Sequence, residues 1–118
     1  MTKFETTFDS ANDGHQYAII TRKRLVYPYE NGKRLSDVPI ATTITVALQG
    51  NCFASLNVKI EGSTEWLTEL TNEKIKAACS AMKPYLVRFS NCMVSIYTIN
   101  GEMRMSATAS GVELVSSK

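Results

Sequence analysis

The sequence predicts a mainly β domain with one helix, an α+β chain. Three observations predict it. Residues 40–48 and 52–60 alternate apolar and polar side chains with the period of two that half-buried strands require. Asn100-Gly101 separates two further alternating runs, and Asn-Gly accepts the positive φ angles of a tight hairpin. Between these pairs the spacing becomes helical: Trp66, Leu67, Leu70, Ile75, Ala78, Cys79 and Met82 fall near one face. The length, 118 residues, suits one domain. With 44% hydrophobic residues, 20% charged, six Gly and three Pro, the composition excludes disordered and collagen-like chains.

Residues 1–16 are polar, with Phe4 and Phe8 as the large apolar groups, and read as an N-terminal arm or short edge strand. Asn12-Asp13-Gly14 is turn chemistry. The domain proper is expected over 17–115, with a polar tail at 116–118. Its first strand is Tyr17 to Tyr27, YAIITRKRLVY, β-branched and aromatic but interrupted by charge. Residues 28–39 form a loop bounded by Pro28 and Pro39, with Asn31-Gly32 as a hairpin tip. In 40–48 the predicted inward set is Ile40, Thr42, Ile44, Val46 and Leu48. After the Gln49-Gly50-Asn51 turn it is Cys52, Ala54, Leu56, Val58 and Ile60, with Phe53, Ser55, Asn57 and Lys59 outward.

The helix is expected over 65–82, capped by Ser63 or Thr64, with acids early and lysines late, or as two shorter helices broken at Thr71-Asn72. Pro84 stops it. Residues 85–97 form a fourth strand with a bulge or kink at Asn91, and Glu102 to Ala109 return as the fifth. Strand, loop, strand, turn, strand, helix, strand, turn, strand is the element order of a five-stranded OB-like barrel with one helix between strands 3 and 4. A plain sheet with one helix packed on it shares part of this order.

The net charge is only +2, but it is unevenly placed. Residues 1–15 carry −2, residues 61–82 carry −2, and residues 83–118 carry +2. Residues 16–60 carry +4, with six cations against Glu30 and Asp37. The cations share this region with tyrosines. Lys and Arg neutralise phosphates, and aromatic rings stack bases without regard to sequence. The nucleic-acid-binding candidates are therefore Arg22, Lys23, Arg24, Tyr27, Tyr29, Lys33, Arg34, Phe53, Lys59, Tyr97 and Arg104. The rival reading makes TRKR a solvated edge-strand face and the tyrosines covers for the barrel ends.

Catalytic chemistry has no foothold in the sequence. His15 is the single histidine, in a polar stretch, and no nucleophile elbow, zinc-protease or phosphate-loop motif occurs. Glu65, Glu69 and Glu73 recur at i, i+4 and i+8, which reads as a solvated helix face. Cys52, Cys79 and Cys92 lack disulfide or CxxC spacing and read as small buried hydrophobes in a reducing compartment. The methionines on alternating strand positions read as core filling, and Trp66 as core. No cofactor or metal is expected, and no membrane span, since no run of about 18 apolar residues exists.

LNVKIEGS, residues 56–63, followed by a helix and then KPYLVRFSNCMVSIYTINGEMRMSATASGVELV, residues 83–115, resembles the small OB-like accessory proteins of Gram-positive conjugative elements and plasmids. These are the YdcP-type family and the single-strand-binding proteins encoded beside them. The resemblance implies DNA processing during transfer or replication through a barrel groove, and the reducing compartment read from the thiols makes the cytoplasm the expected location. The expected function is thus a single-stranded nucleic-acid-binding accessory protein of a mobile element, plasmid or phage. Its expected partners are single-stranded DNA, with RNA as the second candidate, a helicase, relaxase or replication protein, and a second copy of the chain. The alternative is a phage or mobile-element protein-interaction module, an inhibitor or assembly factor that binds no nucleic acid.

Overall fold

The computed structural model describes residues 3–62 and 66–115. β1 (Lys3–Thr7) runs into one helical turn, α1 (Phe8–Ala11), where the Thr7 hydroxyl accepts from the Ser10 N–H. The β-branched run builds β2 (Ala18–Val26). A small flap follows, β3 (Tyr29–Glu30) and β4 (Lys33–Arg34), turned by Asn31 at φ 52° and Gly32 at φ 79°. The two alternating runs become β5 (Ala41–Leu48) and β6 (Ala54–Glu61), joined by a 3-10 turn at Gln49–Asn51. Then come α2 (Asn72–Ser80), β7 (Leu86–Ser90), β8 (Met93–Ile99), β9 (Glu102–Ala109) and β10 (Gly111–Val115).

Eight strands form one curled sheet in the order β1-β8-β9-β6-β5-β2-β7-β10. All neighbours are antiparallel except β6 and β9, which run parallel. The expectation of five strands is therefore corrected. β1 and β10 add the two edges. The strand expected over 85–97 breaks at Asn91, whose φ of 51° an asparagine tolerates, into β7 and β8. These two lie far apart in the strand order. The curl brings their ends of the sheet back together. The Phe8 and Phe89 rings meet edge to face at 5.4 Å, bridging the β1 side to β7. The Ser110 N–H donates to the Ser90 carbonyl at 2.9 Å, which pins the corner where the chain leaves β9 for β10. Trp66 lies against that corner: a Cβ on Gly111 would stand 3.1 Å from its ring.

The predicted inward set holds where pairing enforces it. Thr42, Ile44, Val46, Leu48, Leu56, Val58 and Ile60 are buried, while Phe53, Ser55, Asn57 and Lys59 are exposed. Ile40 and Cys52 are exposed, because each lies beyond its strand end. Ile75 of α2 enters the core from inside the curl, against β2.

The helix is shorter than its spacing suggested. It starts at Asn72, with the Thr71 hydroxyl accepting from the Lys74 N–H. The caps expected at Ser63 and Thr64, the first acid Glu65 and the tail 116–118 lie outside the described residues. Glu69 precedes the helix, so Glu69 and Glu73 share no helix face. Leu67 at φ 55° shows the chain bending where a longer helix was expected. Trp66 and Leu67 still pack against the core, but from this irregular segment. Met82, Met93 and Met103 are exposed, not core filling, since each sits at an element's end or on its open face. Of the thiols only Cys92 is buried; Cys52 is exposed and Cys79 intermediate.

A buried asparagine ties the N-terminal arm to the hairpin. Asn12 Nδ2 donates to the Tyr17 carbonyl at 2.9 Å and the His15 carbonyl at 3.4 Å, and its Oδ1 accepts from the Gly50 N–H at 2.8 Å. A Cβ on Gly50 would stand 2.0 Å from the Asn12 carbonyl oxygen, so only glycine permits this approach.

Candidate nucleic-acid interface

The outer face of the sheet gathers the cations, and a bulge in β2 decides which ones. Ile20 pairs with Val46, but Arg22 pairs with Thr45, so one residue, Thr21, is extra. Strict alternation would place Arg22 and Arg24 on the same face as buried Ala18 and Ile20. The bulge reverses the phase and turns both arginines outward, opposite Thr45 and Thr43. Across the next ladder Thr43 pairs with Lys59 and Thr45 with Asn57. Arg22, Arg24, Thr43, Thr45 and Asn57 line one shallow cleft of about 100 Å³. Among the described residues none of Arg22, Arg24 and Lys59 is in an ion pair.

The same bulge turns Lys23 away. Its backbone N–H and C=O are both held by the Asn72 side chain, at 2.8 and 2.9 Å. Its Nζ donates to the carbonyls of Leu67 at 2.7 Å and Trp66 at 3.3 Å. Lys23 therefore anchors the segment before α2, and the outer face does not include it.

The flap brings three more candidates together. The Arg34 guanidinium lies 3.9 Å from the centre of the Tyr27 ring, and a hydrogen bond that it donates to the Tyr29 hydroxyl oxygen holds its pKa above the ordinary arginine value. Tyr29 is exposed, and with Tyr27, Arg24, Leu25 and Val26 it lines a cleft of about 340 Å³. Lys33 pairs with Glu30 across the flap ladder.

A larger cleft, about 640 Å³, lies between β6 and β9. Parallel pairing joins these strands only from Asn57–Ser106 to Ile60–Ala109. Towards their N-terminal ends they diverge, and the gap exposes Ala54 and Ser55 on one side and Met103, Arg104 and Met105 on the other. Tyr97 and Arg104 are cross-strand partners on its wall, and Arg104 also donates to Glu102 at 3.2 Å. Phe53 stands at φ 59°, exposed, next to the cleft residue Ala54. A bulky residue in the left-handed region costs about 1–2 kcal/mol, so the turn holds this ring out at some strain.

The structure thus gathers Arg22, Arg24, Lys59, Tyr97 and Arg104 on adjoining outer strands, sets Tyr29, Lys33 and Arg34 on the flap with Tyr27 against it, and removes Lys23. Sequence reasoning missed Thr43, Thr45, Asn57 and Met103. The outward phase of Thr43, Thr45 and Asn57 was legible in the alternation, but polar neutral residues carry no charge signal, and Met103 alternates in phase with the core residue Ala107. The cleft itself had no signal, because it arises where two strands distant in sequence part. Among the described residues no cluster of His, Cys, Asp or Glu could hold a metal. No helix of the described residues is long and apolar enough to cross a membrane. No protein-family model, curated protein or solved structure matches the chain.

Proposed function

We propose that the protein binds single-stranded nucleic acid, DNA foremost, across the outer face of β2, β5, β6 and β9. The observation that carries this reading is the row of Arg22 and Arg24, set outward by the bulge, and Lys59, three cations without acidic partners among the described residues, on adjacent strands amid Thr43, Thr45 and Asn57. Backbone phosphates need cations and small polar donors on an open surface. The exposed rings of Tyr29 and Phe53 at either end supply stacking platforms. The strand order supports the same reading. If β7 and β8 count as one bent strand, β2-β5-β6-β9-β8 returns to β2 through β7, and along the chain α2 falls between β6 and that bent strand. That path is similar to the strand order of an OB-like barrel, a fold whose groove suits oligonucleotides, and so supports the reading. The resemblance of residues 56–63 and 83–115 to accessory proteins of conjugative elements and plasmids adds the role: DNA processing in transfer or replication, beside a helicase, relaxase or replication protein.

Fluorescence anisotropy with labelled oligo-dT over a salt series tests it. Binding tighter than about 100 µM at low salt is expected, with affinity falling as salt rises. Each phosphate contact on a single strand contributes about 0.7 to the log–log salt slope, so Arg22→Gln/Arg24→Gln/Lys59→Gln should flatten it by about 2. No binding, or an unchanged slope in the triple variant, refutes this assignment.

A further inference from the structure

We propose that the cleft between β6 and β9 is a pocket for one nucleobase of the bound strand, with Arg104 at its rim for the adjoining phosphate. This rests on the nucleic-acid reading and deepens it. The outer-face trough is polar and cationic, and suits the strand's backbone. The β6–β9 cleft is different in kind. Ile96, Met103 and Met105 give it apolar walls, which phosphates avoid and the face of a base seeks. Its volume of about 640 Å³ falls within the range of roughly 300–1,000 Å³ typical of small-ligand pockets.

Asn57 belongs to both clefts, so the trough and the pocket are continuous across a single side chain. A strand whose phosphates lie along Arg22 and Arg24 reaches the pocket without crossing another wall. The Asn57 amide is also set in orientation. Its Oδ1 accepts from the Thr45 hydroxyl at 2.7 Å, which leaves the Nδ2 donors for a ligand. Every base offers ring-nitrogen or carbonyl acceptors to such a donor. Tyr97 supplies a ring on the wall, and its cross-strand partner Arg104 supplies the cation one residue from Met103. The divergence of β6 and β9 makes this possible: full pairing from Ala54 to Ile60 would close the gap.

The experiment compares wild type with Tyr97→Ala/Met103→Ala. Anisotropy is measured with a labelled 12-residue oligo-dT and with an abasic deoxyribose-phosphate strand of equal length. Stacking on aromatic side chains commonly contributes ten-fold or more in affinity per base, so wild type should prefer oligo-dT by about that factor. The variant should lose the pocket's share of that preference, keeping only what stacking on Tyr29 and Phe53 supplies, with its affinity for the abasic strand and its salt slope unchanged. Met103 is 75% exposed, so Met103→Ala alone cannot disturb the core and replaces the double variant if circular dichroism shows the latter unfolded. A preference for oligo-dT retained in full by the variant, or absent from wild type that binds both strands, overturns the base pocket while leaving the proposed function standing. Failure of wild type to bind either strand overturns both.

Discussion

Replacing Asn12 with alanine isolates the tie between the N-terminal arm and the β5–β6 turn. Asn12 has no exposed surface. Alanine removes the acceptor for the Gly50 N–H and the donor to the Tyr17 carbonyl, bonds of 2.8 and 2.9 Å. The two losses differ. The Tyr17 carbonyl keeps a donor, Gln49 Nε2 at 2.8 Å, so its cost is one net hydrogen bond, about 1 kcal/mol. The Gly50 N–H loses its side-chain acceptor against the Asn12 backbone, a desolvation penalty of about 1–3 kcal/mol. The third bond, at 3.4 Å to the His15 carbonyl, is too long to add much. The sum is about 2–4 kcal/mol, or a fall in Tm of about 8–16 °C for a domain of this size. Urea unfolding followed by circular dichroism measures it, and the m-value should stay constant. Gly50→Ala should cost more, since its Cβ would meet Asn12 backbone rather than a movable side chain. An Asn12→Ala variant within 0.5 kcal/mol of wild type, a margin of about the size of ordinary surface substitutions, would refute the reasoning.

Thr42→Val should raise stability by about 1 kcal/mol in the same assay, because the buried Thr42 hydroxyl has no partner among the described residues and valine keeps its shape. Lys23→Ala should lower stability by about 1–3 kcal/mol through the freed carbonyls of Trp66 and Leu67, yet leave the oligo-dT salt slope unchanged; a flatter slope would return Lys23 to the interface. Burial pushes the Cys92 thiol from 9.0 up to about 12. The unfolded thiol then ionises first, so its share of stability is present below pH 9 and is lost as pH rises from about 9 towards 12. Thermal melts of Cys92→Ala against wild type at pH 7 and pH 10.5 should show wild type losing more, and a thiol reagent at pH 8 should label Cys52 first and Cys92 last.

Much of the fold was legible because it is local. Alternation names the buried residues from Thr42 to Leu48 and from Leu56 to Ile60, failing only at Ile40, Cys52 and half-buried Ala54 near the strand ends, and Asn31-Gly32 and Asn100-Gly101 mark both tight turns, with φ of 52° and 79°, and 52° and 81°. The helix was misjudged because spacing cannot register that Leu67 bends the chain, or that Thr71 rather than an earlier hydroxyl caps it. The kink at Asn91 was visible, but not its consequence: β7 and β8 join opposite ends of a curled sheet. Met103 alternates like a core residue, yet the strand beside it turns away and leaves it in water.

The candidate site divides along the same line. By itself the sequence determined that the strands carry the surplus of basic charge and tyrosine, because composition needs no partner. It also determined that Lys59 and Asn57 face outward, because a strand's period is two. Only the tertiary structure decided what the TRKR run does. Pairing with β5 inserts one unmatched residue at Thr21, and that single-residue slip exchanges the faces. Arg22 and Arg24 thereby reach the outer surface, and Lys23 is spent on two carbonyls inside. The cleft between β6 and β9 is likewise tertiary, for it exists where two strands more than forty positions apart in register, Asn57 and Ser106, cease to pair. A periodic pattern specifies faces within one strand; which strands meet, and where they part, depends on contacts between segments that the pattern of neither one contains.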